Sequence, residues 1–180
     1  MTGEVKRAIF LDRDGTLIEE VNFLHRVEDL RFFPFTEEAV SILKNAGFLL
    51  IVVTNQSGVG RGMFSADIVV QIHEAIQRRL DEKIDRFYFC THLPEEGCEC
   101  RKPNVGMIEQ AKEDFSIDLE NSWIIGDKRL DMELGFNAGI NTCLVLTGYG
   151  NVEVHKLKRK PDLIAENLLE AARKIIWWNS

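Results

Sequence analysis

Five short apolar runs, at residues 8–11, 48–53, 87–90, 123–125 and 142–146, alternate with stretches of helical spacing, and this alternation constrains the chain most. The runs are rich in Ile, Val, Leu and Phe, so they read as short strands buried on both faces. Between 36 and 46, Ala39, Val40, Leu43 and Ala46 share one helix face, and Gly47 is a stop signal. Ser65 can cap a helix that carries Ile68, Val69, Ile72, Ile76 and Leu80. Further helices are expected over 105–115, over 130–138 before Gly139, and from about 166 to 178. Strands separated by helices predict an α/β fold, with a mainly parallel central sheet between two helical layers. A chain of 180 residues suits a single domain spanning 1–180 and can bury a full core without staples. No repeat, low-complexity segment or linker interrupts it. The intervals 12–36 and 54–102 are too short for an inserted cap domain, so loops alone would cover a crevice.

In such sheets ligands bind outside the carboxyl ends of the strands, so the residues after each run matter. Asp12-Arg13-Asp14-Gly15-Thr16 follows the first run. If the extended backbone persists, Asp12 and Asp14 point the same way; Gly15 allows a sharp turn and Thr16 adds a hydroxyl. A divalent cation would relieve their repulsion, leaving one aspartate ionised as a nucleophile while the other handles protons. The second run leads into Thr54-Asn55-Gln56-Ser57-Gly58-Val59-Gly60-Arg61-Gly62, with donors at the strand tip, glycines that admit an anion, and Arg61 for a second anionic group. Beyond the third run stand Arg101, Lys102 and Pro103: Lys suits a phosphoryl oxygen and Arg can grip a phosphate in two parallel bonds. The fourth run ends in Gly126-Asp127-Lys128-Arg129-Leu130-Asp131, where Asp131, one helical turn on, could join Asp127 or hold Lys128. Taken singly, each segment has a plainer explanation as a turn, a solvated basic pair or a helix cap. Together they gather Asp12, Asp14 and Asp127 for a hard cation and Thr54, Asn55, Lys102 and Lys128 for an anion, a set suited to Mg²⁺ and a phosphate.

Cysteine usage points to a second metal. Cys90 and His92, then Cys98 and Cys100, are two ligand pairs with one residue between the members of each. Four such ligands can close around a tetrahedral zinc with no open position, which describes a structural site. The loop ends at Arg101-Lys102, so clamping it would fix the lysine. Cys143 falls in a buried run and reads as core packing.

The four strand ends, in this order, resemble the haloacid dehalogenase-like (HAD) superfamily of aspartate-nucleophile phosphatases over roughly residues 8–146. The resemblance implies a three-layer Rossmann-like HAD fold. It also implies that Asp12 attacks phosphorus, that Asp14 protonates the leaving alkoxide and then activates water, and that Thr54 and Lys102 hold the equatorial oxygens. Mg²⁺ would be held by Asp12, the backbone carbonyl of Asp14 and Asp127. The zinc loop narrows the likeness to the D-glycero-D-manno-heptose 1,7-bisphosphate 7-phosphatases and the histidinol-phosphate phosphatases. The stretch 54–62, with its arginine, and Lys128 lean towards the heptose enzymes. Glu20, Val21, Asn22 and Phe23 occupy those enzymes' substrate loop without matching its usual composition. Further substrate contacts are expected from Arg13, Asn55, Gln56 and Ser57, and from Arg61, Arg101 and Lys128. Histidinol-phosphate phosphatase is the nearest alternative; a polynucleotide 3′-phosphatase and a zinc-stabilised binding module without activity are the others.

Composition narrows the partners. A formal charge of −7 argues against a nucleic-acid or anionic-membrane partner while allowing a small basic pocket. No apolar stretch could span a bilayer and residues 1–7 lack a signal-peptide pattern, so a cytoplasmic monomer acting on a small phosphorylated metabolite is expected. His25, His73 and His155 show no partner pattern and read as surface or core. Trp177 and Trp178 read as a terminal helix packed on the sheet.

Overall fold

The computed structural model describes residues 4–178. Its strands are β1 (Ala8–Leu11), β2 (Leu49–Asn55), β3 (Arg86–Cys90), β4 (Trp123–Gly126), β5 (Asn141–Val145) and β6 (Leu163–Ala165). All adjacent strands pair in parallel, in the order β3-β2-β1-β4-β5-β6. The helices are α1 (Thr36–Asn45), α2 (Ser57–Gly60), α3 (Ala66–Arg79), α4 (Gly106–Asp114), α5 (Arg129–Ala138), α6 (Gly150–Glu153) and α7 (Leu168–Trp178). The five predicted strands are present, β1 with both ends as expected and the others with ends shifted by at most two residues. The three-residue β6 escaped the sequence reading because two apolar neighbours and an alanine carry no periodicity.

The apolar runs lack alternation because each face of the sheet carries its own core. Ile9, Leu11, Leu50, Val52 and Ile125 face α1, α3 and α7 through Val40, Leu43, Ile72, Ile76 and Ala171. Their strand neighbours Ala8, Phe10, Ile51, Val53 and Ile124 face α4 and α5 through Met107, Ile108 and Leu134. Successive side chains thus enter opposite cores, and each strand residue must be apolar. Cys143 is fully buried in the first core.

Ser65 stands at the N-cap of α3, but its side chain makes no capping hydrogen bond. The helix is held instead by the buried Val69, Ile72, His73 and Ile76. The packing expected of both terminal tryptophans is found for the helix rather than for Trp177. Leu168, Ala171, Ala172 and Ile175 bury α7, and Trp178 meets Trp123 edge-on, whereas Trp177 remains 80% exposed.

Strand order reverses at β1: the chain winds out to β3, then returns to place β4 on the other side of β1. Leu11 pairs with Val52 on one side and with Ile125 on the other, so the residues after these three strands emerge side by side at the switch point. Between β1 and α1 the only helical turn is Val27–Asp29, which leaves loops over that edge.

Candidate active site

Asp12 leaves β1 with its backbone N–H still bonded to the Ile125 carbonyl, so the strand geometry carries through to it. Its carboxylate is buried and takes a 2.8 Å hydrogen bond from Lys102 Nζ. Lys102 also donates to Asp131 Oδ1 at 2.7 Å and to the Val53 carbonyl at 3.0 Å. These partners occupy all three ammonium donors. Burial opposes ionisation of Asp12, but Lys102 and Lys128 outweigh it and hold the carboxyl down to about 2. For Lys102 itself, Asp12 and Asp131 likewise overcome burial and raise it above the ordinary lysine range. A charged lysine beside an ionised, buried carboxylate is the ground state of the site.

Lys102 is aimed through its backbone. Asn55, the last residue of β2, accepts from the Lys102 N–H at 3.0 Å and donates to the Lys102 carbonyl at 3.3 Å. Its amide is therefore committed to the peptide of Lys102, whose bond to Pro103 is cis. Arg101 bends the other way, with Nη1 donating to the His92 carbonyl at 3.1 Å. The expected link between the cysteine loop and the lysine thus has a physical form: loop and lysine share neighbouring backbone clamps.

Asp127 follows the last residue of β4 and has no exposure at all. Its Oδ2 accepts from the Tyr149 N–H at 2.8 Å and lies against the bare Cα atoms of Gly15 and Gly148. Both glycines have positive φ, and a Cβ on either would collide with this carboxylate. Oδ1 is buried with no hydrogen-bond partner, Lys128 Nζ being 3.7 Å away. Burial, and then the charge of Asp12, pushes the Asp127 carboxyl up to about 8. Asp131 takes the Lys128 N–H on Oδ2 at 3.1 Å and Lys102 Nζ on Oδ1. It therefore holds the ammonium of Lys102 and the backbone, not the ammonium, of Lys128.

Carboxylate oxygens of Asp12, Asp127 and Asp131 lie within 4.8 Å of one another. With Glu20, whose Oε2 is 3.4 Å from Lys128 Nζ, four carboxylates face two ammonium groups. A divalent cation matches that imbalance, and the orphaned Asp127 Oδ1 is the kind of hard oxygen that Mg²⁺ takes. The donor set fits the ion.

Around this centre lies an open cavity of about 240 Å³. It is lined by the predicted Arg13, Asp14, Glu20, Val21, Asn22 and Phe23 on one side and by Thr54, Asn55, Gln56, Ser57, Arg101 and Lys128 on the others. Gln56 Nε2 bridges Thr54 Oγ1 at 2.8 Å and Asp14 Oδ2 at 3.0 Å. Arg13 reaches the cavity wall but is only 1% exposed, its guanidinium paired with Asp14. Arg61 is exposed outside the lining, its guanidinium 6.0 Å from the Phe23 ring.

At the end of β3, Cys90 Sγ, His92 Nδ1, Cys98 Sγ and Cys100 Sγ come together, all within 4.8 Å of one another. Sulfur atoms bound at about 2.3 Å to one tetrahedral ion would lie about 3.8 Å apart; the Cys98–Cys100 and Cys90–Cys98 separations are 3.6 and 3.5 Å, and the Cys90–Cys100 separation, at 3.0 Å, is shorter than a bound ion would set. The cluster fits a metal ion.

Comparison with known proteins places the chain in a family. A family profile described as polynucleotide kinase 3 phosphatase matches residues 7–133, and one described as HAD-hydrolase-like matches residues 99–171. The D-glycero-beta-D-manno-heptose-1,7-bisphosphate 7-phosphatase of Haemophilus ducreyi is 38% identical over 175 residues, covering 92% of this chain and 96% of that protein. This chain belongs to that family of HAD-like phosphatases. The D-glycero-D-manno-heptose-1,7-bisphosphate 7-phosphatase of Thermosynechococcus vestitus is 39% identical, covering 93% of this chain and 94% of its own. The D,D-heptose 1,7-bisphosphate phosphatase of B. bronchiseptica, solved with magnesium and phosphate, matches at a TM-score of 0.89 and 28% identity, covering 96% of this chain and 99% of its own.

In this member of the heptose-bisphosphate phosphatase family, the cavity wall also includes Leu24, Leu130 and Tyr149, none of which the motifs singled out. The Tyr149 ring lies 5.1 Å from Lys128 Nζ. It sits beyond β5, where only the glycine before it hinted at a close approach. Among the described residues no helix is long and apolar enough to cross a membrane.

Proposed function

We propose that this protein is a cytoplasmic, Mg²⁺-dependent phosphatase that removes the 7-phosphate of D-glycero-D-manno-heptose 1,7-bisphosphate, a step towards the heptose of lipopolysaccharide. The observation that carries the reading is the buried pair of Asp12 and Asp127 at the switch point. One is held ionised by two lysines, and the other keeps an unpartnered oxygen beside it. Identity to the heptose enzymes over almost the whole chain supports the substrate.

Asp12 attacks phosphorus through a carboxylate oxygen, and the ester P–O bond breaks as Asp14 hands its proton to the leaving alkoxide. Water then attacks phosphorus of the aspartyl-phosphate while Asp14 takes the proton back, which releases phosphate and restores the Asp12 carboxylate. Lys102 and Thr54 Oγ1 stabilise the equatorial oxygens, and Lys102 exchanges part of its contact with Asp12 for the phosphoryl group. Asp12, Asp127 and the Asp14 carbonyl would hold Mg²⁺, which when bound would supply the charge neutralisation that lets one anion approach another. Arg61, Arg101 and the 20–23 loop bind the sugar and its second phosphate. Cys90, His92, Cys98 and Cys100 hold a structural zinc that braces Lys102. The protein acts as a monomer of one domain on a small metabolite.

A substrate panel tests the assignment: heptose 1,7-bisphosphate of both anomers, the matching monophosphates, histidinol phosphate and a 3′-phosphorylated oligonucleotide. Release of phosphate from position 7 of the bisphosphate is expected to have the highest kcat/KM. A preference for histidinol phosphate or for the oligonucleotide would overturn it.

A further inference from the structure

Two of the hydrogen bonds of Asp14 lead away from the cavity, to a buried arginine. Arg13 Nε donates to Asp14 Oδ2 and Nη2 to Oδ1, each at 3.0 Å, so one edge of the guanidinium grips the carboxylate with both donors. The remaining nitrogen, Nη1, lies 3.4 Å from Nε2 of His73, sixty residues on. Arg13 is 1% exposed and His73 5%. The imidazole is fixed in turn by two aromatic rings of β3: it stacks on Phe87 at 4.6 Å between centroids and meets Phe89 edge-on at 5.5 Å. A guanidinium carries its donors in a rigid plane, so anchoring Nη1 also sets the direction of the two that reach Asp14.

The contact requires an uncharged imidazole with its proton on Nδ1, because a protonated ring would present a donor to a donor. Burial, reinforced by the charge of Arg13, brings His73 down to about 3 and satisfies this requirement. Nothing in the sequence signals the link. His73 occupies a core-facing position of an amphipathic helix, and Arg13, the middle residue of Asp12-Arg13-Asp14, reads as a substrate contact.

We propose that His73 is a positioning residue of the phosphatase: by accepting from Arg13 it locks the guanidinium fork that orients the Asp14 carboxyl for proton transfer. The proposal rests on the assignment of Asp14 as the proton donor to the leaving group. Gln56 holds Asp14 Oδ2 from the cavity side at 3.0 Å, so loss of His73 loosens Asp14 without releasing it.

The leaving group separates this role from a packing role. A sugar alkoxide needs a proton as its bond to phosphorus breaks, whereas p-nitrophenolate departs without one. The experiment compares kcat/KM for heptose 1,7-bisphosphate and for p-nitrophenyl phosphate, at saturating Mg²⁺, in wild type, His73→Phe and His73→Gln. In His73→Phe the ratio of the two constants, sugar over aryl, is expected to fall about tenfold, the effect of a slightly misdirected acid. His73→Gln, whose carbonyl oxygen can accept from Arg13, is expected to bring the ratio back within about threefold of wild type. Equal losses on both substrates in His73→Phe, or a fall that His73→Gln fails to reverse, would overturn the role. The wild-type protein offers a second readout that needs no variant to fold. Imidazole ¹⁵N spectra are expected to show His73 neutral, with its proton on Nδ1, from about pH 5 to about pH 9. A proton on Nε2 would overturn the proposal. Wild-type enzyme that hydrolyses the aryl ester but not the heptose ester would count against the substrate assignment; the same ratio is then measured with an alkyl phosphate it accepts.

Discussion

Asp12 and Lys102 are ninety residues apart in sequence and 2.8 Å apart in space, both side chains almost wholly removed from solvent. Removing one of two buried, hydrogen-bonded charges affects both chemistry and fold. Asp12→Asn is expected to lower turnover by about four orders of magnitude or more, since an amide cannot form the phosphoenzyme. The lowering of the Asp12 carboxyl from 3.8 to about 2 corresponds to roughly 2 kcal/mol of stability that the amide forgoes. Phosphate release together with urea denaturation checks both effects; substantial residual turnover would reassign the nucleophile.

Asp127 presents its unpartnered oxygen to the space beside Asp12. Chelation of divalent metal should abolish activity, and Mg²⁺ should restore it. In Asp127→Asn the Mg²⁺ concentration for half-maximal activity is expected to rise about tenfold or more, as one anionic ligand becomes neutral. An unchanged Mg²⁺ titration would remove Asp127 from the metal site.

The cysteine cluster predicts one zinc per chain by elemental analysis. Cys98→Ser should lose that zinc and lower Tm by roughly 10 °C, the shift that about 3–4 kcal/mol produces in a chain of this length. Because Arg101 ties the loop to the lysine beside it, kcat should fall too. Full activity without zinc would separate the loop from the chemistry.

His73 ties stability to pH. Its pKa falls from 6.5 to about 3 on folding, so between those values the unfolded chain binds a proton that the native protein refuses. Stability from this group is complete above pH 6.5 and declines as the pH drops towards 3, by about 1.4 kcal/mol per unit. Acidification from pH 6.5 to 5 should therefore remove roughly 2 kcal/mol in wild type. His73→Gln should lack that increment in the same denaturation series. Parallel curves for the two proteins would contradict the assignment.

Arg61 stands outside the cavity lining, its guanidinium 6.0 Å from the ring of Phe23, which does line it. A second phosphate held there would lose a charge-assisted contact in Arg61→Ala, raising KM for the bisphosphate about tenfold. KM for a monophosphate should change by less than about threefold. Equal changes on both substrates would place the second anion elsewhere, with Arg101 the next residue to vary.

Alternation of apolar runs with helical spacing determined the architecture, because burial on both faces demands unbroken strands and crossover helices bring them parallel. Each local motif also announced its chemistry: carboxylates after residues 11 and 126, a threonine near the end of the second strand, paired cysteines in one loop and a lysine where that loop ends. Only the packed structure decided which groups meet. Asn55 and Arg101, expected at the substrate, line the cavity while also bonding loop backbone, and Asp131 holds Lys102. Arg13 turns beneath the site onto a histidine that sequence reasoning set aside. Residue type states what a side chain can do, but several cations and carboxylates compete for each other at this edge. Their pairing follows from backbone direction and burial at the switch point, properties that exist only once distant segments have assembled.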